Sequence, residues 1–82
     1  MTDPKKLCDL RPGESATVHS FTDPRHSLSE RLCDLGLTAG SAVTCTMQSP
    51  FGDPCAYLIR GAVIALRRTD AAIVTVLRLE DM

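Results

Sequence analysis

The sequence predicts a mostly β fold: a small five-stranded barrel with one α-helix inserted after the first strand. Three observations predict it. Several short runs alternate apolar and polar side chains, the period of a half-buried strand. Only one run, near residues 27–35, spaces its leucines as a helix does. Five glycines and five prolines are spread along the 82 residues, so no long helix fits between them.

Residues 1–6 read as a flexible polar N-terminal tail, and residues 7–82 as a single domain. Leu7 and Leu10 form a first apolar clip. Pro12-Gly13 marks a turn, with proline fixing φ and Gly13 accepting a positive one. In the first strand Ala16, Val18 and Ser20 share one face, with Ser15, Thr17 and His19 on the other. Asp23-Pro24 interrupts it. His26 to Leu35 reads as the helix, because Leu28, Leu32 and Leu35 make one stripe while Glu30, Arg31 and Asp34 fall off it. Ser27 is a natural N-cap with Glu30 as its capping-box partner; Asp23 and Ser29 are alternatives. Gly36 stands where a helix stops in the left-handed region, and Leu37 would pack back on the last turn.

Gly40 is the next break. Val43, Cys45 and Met47 then alternate with Ala42, Thr44 and Thr46, giving the second strand. Pro50-Phe51-Gly52-Asp53-Pro54 reads as a rigid loop whose prolines donate no ladder bonds. Residues 55–60 and 62–67 form two strands joined by a hairpin at Gly61. Thr69 to Ala72 reads as one helical turn capped by Thr69 or Asp70. Residues 73–79 are a β-branched fifth strand. Closing five strands into a barrel removes the exposed edges and wraps one core.

The charge balance is nearly neutral, with 9 basic and 10 acidic residues. Such a chain exerts no general pull on nucleic acid or anionic lipid. Phe21, Phe51 and Tyr57 are its only aromatics, too few for a base-stacking platform, so no nucleic-acid partner is expected. No apolar run reaches the roughly 18 residues of a membrane helix, so no membrane insertion is expected, and no signal peptide is evident. Cys8, Cys33, Cys45 and Cys55 include no C-x-x-C pair and read as buried free thiols in a reducing cytoplasm.

A catalytic site needs a base, a nucleophile and a group to hold developing charge. His19 and His26 are the only histidines, and no nucleophile-elbow, zinc-protease or phosphate-loop motif accompanies them. No catalytic residue, cofactor site or metal site is therefore assigned. Surface capture of a metal at His19 or His26 stays open. Protein binding has positive support. Phe51 lies between a proline and a glycine, and a rigid loop presenting it loses little entropy on docking. The alternative is that Phe51 folds over the open barrel end as a lid.

Leu10-x-Pro-Gly-Glu14, Arg31-Leu-x-Asp-Leu-Gly-Leu37, Gly40, Pro50-x-Gly-Asp-Pro54, Ile59-x-Gly61 and Ile64-Ala-Leu-Arg67 together resemble the FeoA family. The resemblance spans residues 7 to 79. It implies an SH3-like barrel with a helix after the first strand, also the fold of the C-terminal domain of DtxR-type repressors. It implies a non-enzymatic cytoplasmic accessory of bacterial ferrous iron uptake, whose partner is the cytoplasmic part of the membrane transporter FeoB. Arg31 and Arg67 fall in matching motifs and, with Phe51, make the candidate partner surface. Glu30 precedes Arg31 where the family often carries two arginines, which weakens a charge-based account of that face. The alternative function is a small iron- or zinc-binding protein or a detached repressor-type domain. A weak homo-oligomer is left open. Gly13, Gly36, Gly40, Gly52 and Gly61 are the expected structural turns.

Overall fold

A computed structural model describes residues 5–22, 25, 27–51 and 53–78. The chain runs β1 (Lys5–Lys6), a 3-10 turn (Leu7–Asp9), β2 (Ser15–Phe21), α1 (Ser27–Asp34), β3 (Ala42–Gln48), β4 (Cys55–Ile59), β5 (Ala62–Leu66), α2 (Arg68–Ala71) and β6 (Val74–Arg78). All pairings are antiparallel, in the order β1-β6-β2-β3-β4-β5.

This corrects the five-stranded barrel in two ways. There are six strands, because Lys5 and Lys6 pair with Val76 and Thr75 instead of belonging to the tail. The ladder is also not closed, since β1 and β5 remain as its two edges. The sheet nonetheless wraps on itself. The Tyr57 hydroxyl on β4 donates to the Leu7 carbonyl, just past β1, at 3.4 Å. In a flat sheet those strands would lie about 19 Å apart, four ladder spacings, far beyond a tyrosine's reach.

Two bulges help the sheet curl. The β2–β6 register slips between Val18 and Ser20, and the β3–β4 register between Cys45 and Met47. An extra residue in one strand increases the local twist and turns the residues beyond it to the other face. Ala16, Val18, Val43 and Cys45 are accordingly buried, but Ser20 and Met47 are not, and Met47 is 63% exposed. The plain alternation expected through those two positions is interrupted by His19 and Thr46.

The helix ends one residue short of the expected stripe. Leu32 is fully buried and Leu28 packs on the core, but Leu35 lies past Asp34 and is 41% exposed. Leu37 takes its place in the core. The Leu37 N–H reaches the Leu32 carbonyl at 3.0 Å and the Gly36 N–H reaches the Cys33 carbonyl at 3.0 Å. With Gly36 at φ +111°, this is a Schellman stop, closed by Leu32 and Leu37. Ser27 is already helical. Asp23 and His26, expected near the helix start, lie outside the described residues.

One core unites the elements: Leu7, Leu10, Ala16, Val18, Leu32, Leu37, Val43, Cys45, Tyr57, Ile59, Val74 and Val76 are buried together. The Leu7/Leu10 clip is part of it. α2 is the expected helical turn, but neither Thr69 nor Asp70 caps it. The Asp53 carboxylate does so from the β3–β4 loop, accepting the Arg68 N–H at 2.9 Å.

Candidate partner-binding surface

The β3–β4 loop leaves the sheet at Gln48 and re-enters at Cys55, which pair with each other. Its base is tied by the Ser49 N–H to the Pro54 carbonyl at 3.2 Å, and by Asp53 on the first turn of α2. Phe51 at its tip is 96% exposed, out in solvent and away from the interior. Cys55 also pairs with Leu66, so Arg67 follows directly at the loop's base, and it is exposed. Phe51 and Arg67 therefore flank the same end of β4 and β5. Gly52 lies outside the described residues.

Arg31 is exposed on α1. That helix ends against the opposite end of β4, where a Cβ on Gly36 would come within 3.0 Å of Ile59 Cγ2 and 3.1 Å of Arg60 Cδ. So two of the three named side chains share one end of the sheet, and the helix bearing the third is anchored at the other.

Two turns marked in the sequence carry side-chain braces that the sequence alone does not show. In Arg11-Pro12-Gly13-Glu14 the Glu14 N–H reaches the Arg11 carbonyl at 2.9 Å, and the Glu14 carboxylate accepts the Arg11 N–H at 2.7 Å. Gly13 holds φ +93°, so proline and glycine occupy the central positions of a type II turn. The glutamate at its end, which the turn motif contains, is the one sequence signal for it. At the β4–β5 turn, Arg60 holds φ +50° and its guanidinium donates to Thr38 Oγ1 at 3.1 Å and Ser41 Oγ at 3.4 Å. The loop it braces contains Gly40 at φ +89°. An arginine in a left-handed turn position carries no propensity signal, and only the fold shows it.

The thiols divide by depth. Cys45 and Cys55 are buried, Cys8 and Cys33 half-buried. Burial pushes the Cys45 thiol up, with Cys55 adding to it. Burial also pushes the Tyr57 phenol far up, again helped by Cys55 and Cys45. A thiol held protonated is a poor nucleophile and a poor ligand. His19 is exposed on the β2 bulge. Among the described residues, no three His, Cys, Asp or Glu side chains gather as a metal ligand set. No described helix is long and apolar enough to cross a membrane.

The fold is shared with solved structures. A FeoA-like protein from Clostridium acetobutylicum superposes with a TM-score of 0.87 at 25% identity, over 96% of this chain and 91% of that one. FeoA from Chlorobium tepidum gives 0.83 at 33% identity, over 92% and 70%. Stenotrophomonas maltophilia FeoA, complexed with zinc and described as a prokaryotic SH3 domain protein, gives 0.79 at 29% identity, over 88% of each chain. A manganese-dependent transcriptional repressor shares the fold alone, at 19% identity. No curated protein sequence matches this chain. The FeoA domain matches residues 5–78, from β1 through β6, and the chain belongs to the FeoA family.

Proposed function

We propose that this protein is a non-enzymatic accessory of bacterial ferrous iron uptake, acting in the cytoplasm by docking on the cytoplasmic part of FeoB. The FeoA domain match over residues 5–78 carries this reading. The Stenotrophomonas relative, described as a candidate activating factor of bacterial ferrous iron transport, supports it. So does the surface. An almost fully exposed phenylalanine on a loop tied at its base is a low-entropy anchor for a protein pocket. Arg67, at the same end of the sheet, supplies charge to the rim of the contact, where it sets orientation and on-rate more than affinity; Arg31, on the helix anchored at the other end, belongs to this contact only if the partner reaches across the sheet.

The test is titration calorimetry of this protein against the soluble cytoplasmic domain of FeoB. Saturable binding with one-to-one stoichiometry is the expected result. No heat and no co-elution at tens of micromolar of each component would remove FeoB as the partner. Retention of one equivalent of Fe²⁺ or Zn²⁺ through mild chelation would favour a metal-binding role instead.

A further inference from the structure

The two edges of the open sheet are built differently. β1 is two residues long and both are lysines, a usual defence against strand addition. β5 is five residues long, Ala62-Val63-Ile64-Ala65-Leu66, without a charge or a proline. Its register with β4 runs unbroken from Ile59↔Ala62 to Cys55↔Leu66. Among the described residues no strand pairs with its outer side.

The turn sets which groups the free edge presents. Ile59 and Ala62 flank a two-residue loop in which Arg60 and Gly61 hold φ +50° and +81°. That is the I′ hairpin, whose flanking pair exchanges both ladder bonds. Ladder bonds alternate along an antiparallel pair, so Ala62, Ile64 and Leu66 face β4. The N–H and C=O groups of Val63 and Ala65 point outward. The adjoining outer face is apolar as well: Val63 is 63% exposed and its cross-strand partner Leu58 is 39% exposed.

Charge then selects the occupant. Arg60 brackets the strand at one end and Arg67-Arg68 at the other, with no acidic residue from 60 to 68. All three arginines are exposed, and the bonds Arg60 makes go to neutral hydroxyls. A second copy paired antiparallel about Ile64 would set Arg60 against its Arg67 and Arg68, three arginines at each end against the single Asp53 carboxylate held on the Arg68 N–H. An extended segment with acidic ends meets the opposite situation.

We propose that the β5 edge accepts an extended segment of a partner protein as a seventh strand. The segment is uncharged and β-branched through its middle and carries a carboxylate at each end, about six residues apart, to match a strand about 17 Å long. This goes beyond transporter docking and does not require FeoB to be the partner.

Two synthetic peptides test it: acetyl-Asp-Val-Thr-Val-Thr-Val-Asp-amide and the same sequence with lysine at both ends. Each is titrated into the nitrogen-15-labelled full chain while amide exchange is followed. With the acidic peptide, exchange at Val63 and Ala65 is expected to slow about tenfold or more, while Ile64, already bonded to β4, changes little. The lysine-ended peptide is expected to bind about tenfold more weakly at low salt, a gap that narrows as salt is added. A peptide N-methylated at alternate residues, which cannot donate along the edge, is expected not to bind. Val63→Pro, which removes an outward N–H and no bond to β4, gives the same loss from the protein side; if its fixed φ prevents folding, the methylated peptide still decides. Equal affinity for the two charge forms, absence of binding at millimolar peptide, or shifts away from β5 would each overturn the proposal. Concentration-dependent protection of Val63 and Ala65 without peptide would overturn it in favour of a second copy.

Discussion

The two ends of β4 do opposite jobs. At Ile59 the strand runs into a tight two-residue turn, and α1 stops against it through Gly36. Arg60 braces the turn to the Thr38–Ser41 loop. At Cys55 the strand emerges from a proline-bounded loop whose phenylalanine touches almost nothing. Glycines punctuate the first end, at Gly36 and Gly61, and prolines the second, at Pro50 and Pro54. What separates them is what faces the punctuation: buried Ile59 at one end, solvent at the other. Breaking the first end should therefore cost stability, and breaking the second should cost only binding.

The largest loss is expected from Gly36→Ala. The left-handed backbone penalises a Cβ by roughly 1–2 kcal/mol, and the new methyl would press on buried Ile59 at 3.0 Å. Together these predict destabilisation of about 2–4 kcal/mol, measured by urea unfolding. Gly40→Ala isolates the backbone part, because Gly40 is at φ +89° with nothing within 4 Å of its added Cβ. It should cost only about 1–2 kcal/mol. Equal losses at the two positions would mean that the close approach of α1 to Ile59 does not matter.

The interior between the two ends gives the next effect. Tyr57→Phe removes the bond to the Leu7 carbonyl that ties β4 across to the β1 side, a loss of about 1 kcal/mol near neutral pH. The same residue makes stability pH-dependent. Burial raises the Cys45 thiol and the Tyr57 phenol above their unfolded values. The favourable contribution is therefore complete below the ordinary thiol value of 9.0 and is lost as the pH climbs past it, further once the ordinary phenol value of 10.0 is passed. Unfolding midpoints should be flat from about pH 7 to 8 and fall beyond about 9, less steeply in Tyr57→Phe. A midpoint that rises with alkali would contradict the burial of these groups.

Arg60 is a smaller lever on the same end. Arg60→Ala loses two exposed hydrogen bonds and keeps a left-handed residue in the turn, for about 0.5–1.5 kcal/mol. Arg60→Gly loses the same bonds but relieves the backbone, so it should be the more stable of the two variants by about 1 kcal/mol. A reversed order in thermal unfolding would show that the turn does not strain its arginine.

These ends are unequally legible in the sequence. Gly36 followed by Leu37 reads as a helix stop because the motif is local, complete within six residues and confirmed by its own backbone bonds. Pro12-Gly13 is similar. The bulges at His19 and Thr46 have no glycine to announce them, so Met47 reads as a core position by alternation alone. Lys5–Lys6 has no strand propensity and is a strand only because β6 offers it a ladder. The cap of α2 comes from Asp53, fifteen residues before the N–H it accepts. Signals within one turn are readable, and those that depend on what the sheet brings together are not. Phe51 obeys the same logic. The loop is visible in the sequence, but whether its ring lies over the core or out in solvent depends on how far the sheet curls.

The smallest effect on stability, and the one that tests the comparison from its other side, is expected from Phe51→Ala. With 96% of the residue exposed, the ring has almost no burial to lose, so the unfolding free energy should move by less than about 0.5 kcal/mol. If the loop is the anchor for FeoB, the same change should weaken binding to its cytoplasmic domain about thirtyfold, the size of a well-buried aromatic hot spot. Arg67→Ala, at the loop's base, should mainly slow association and flatten its salt dependence, as rim charges do. Three results are informative. Lost affinity with unchanged stability assigns the Cys55 end to recognition. Unchanged affinity takes the loop out of the contact and leaves the exposed β5 edge and Arg31 as the surfaces to probe. A fall in thermal midpoint alongside affinity would mean that the ring packs on the fold in solution, and the contrast between the two ends of β4 would collapse.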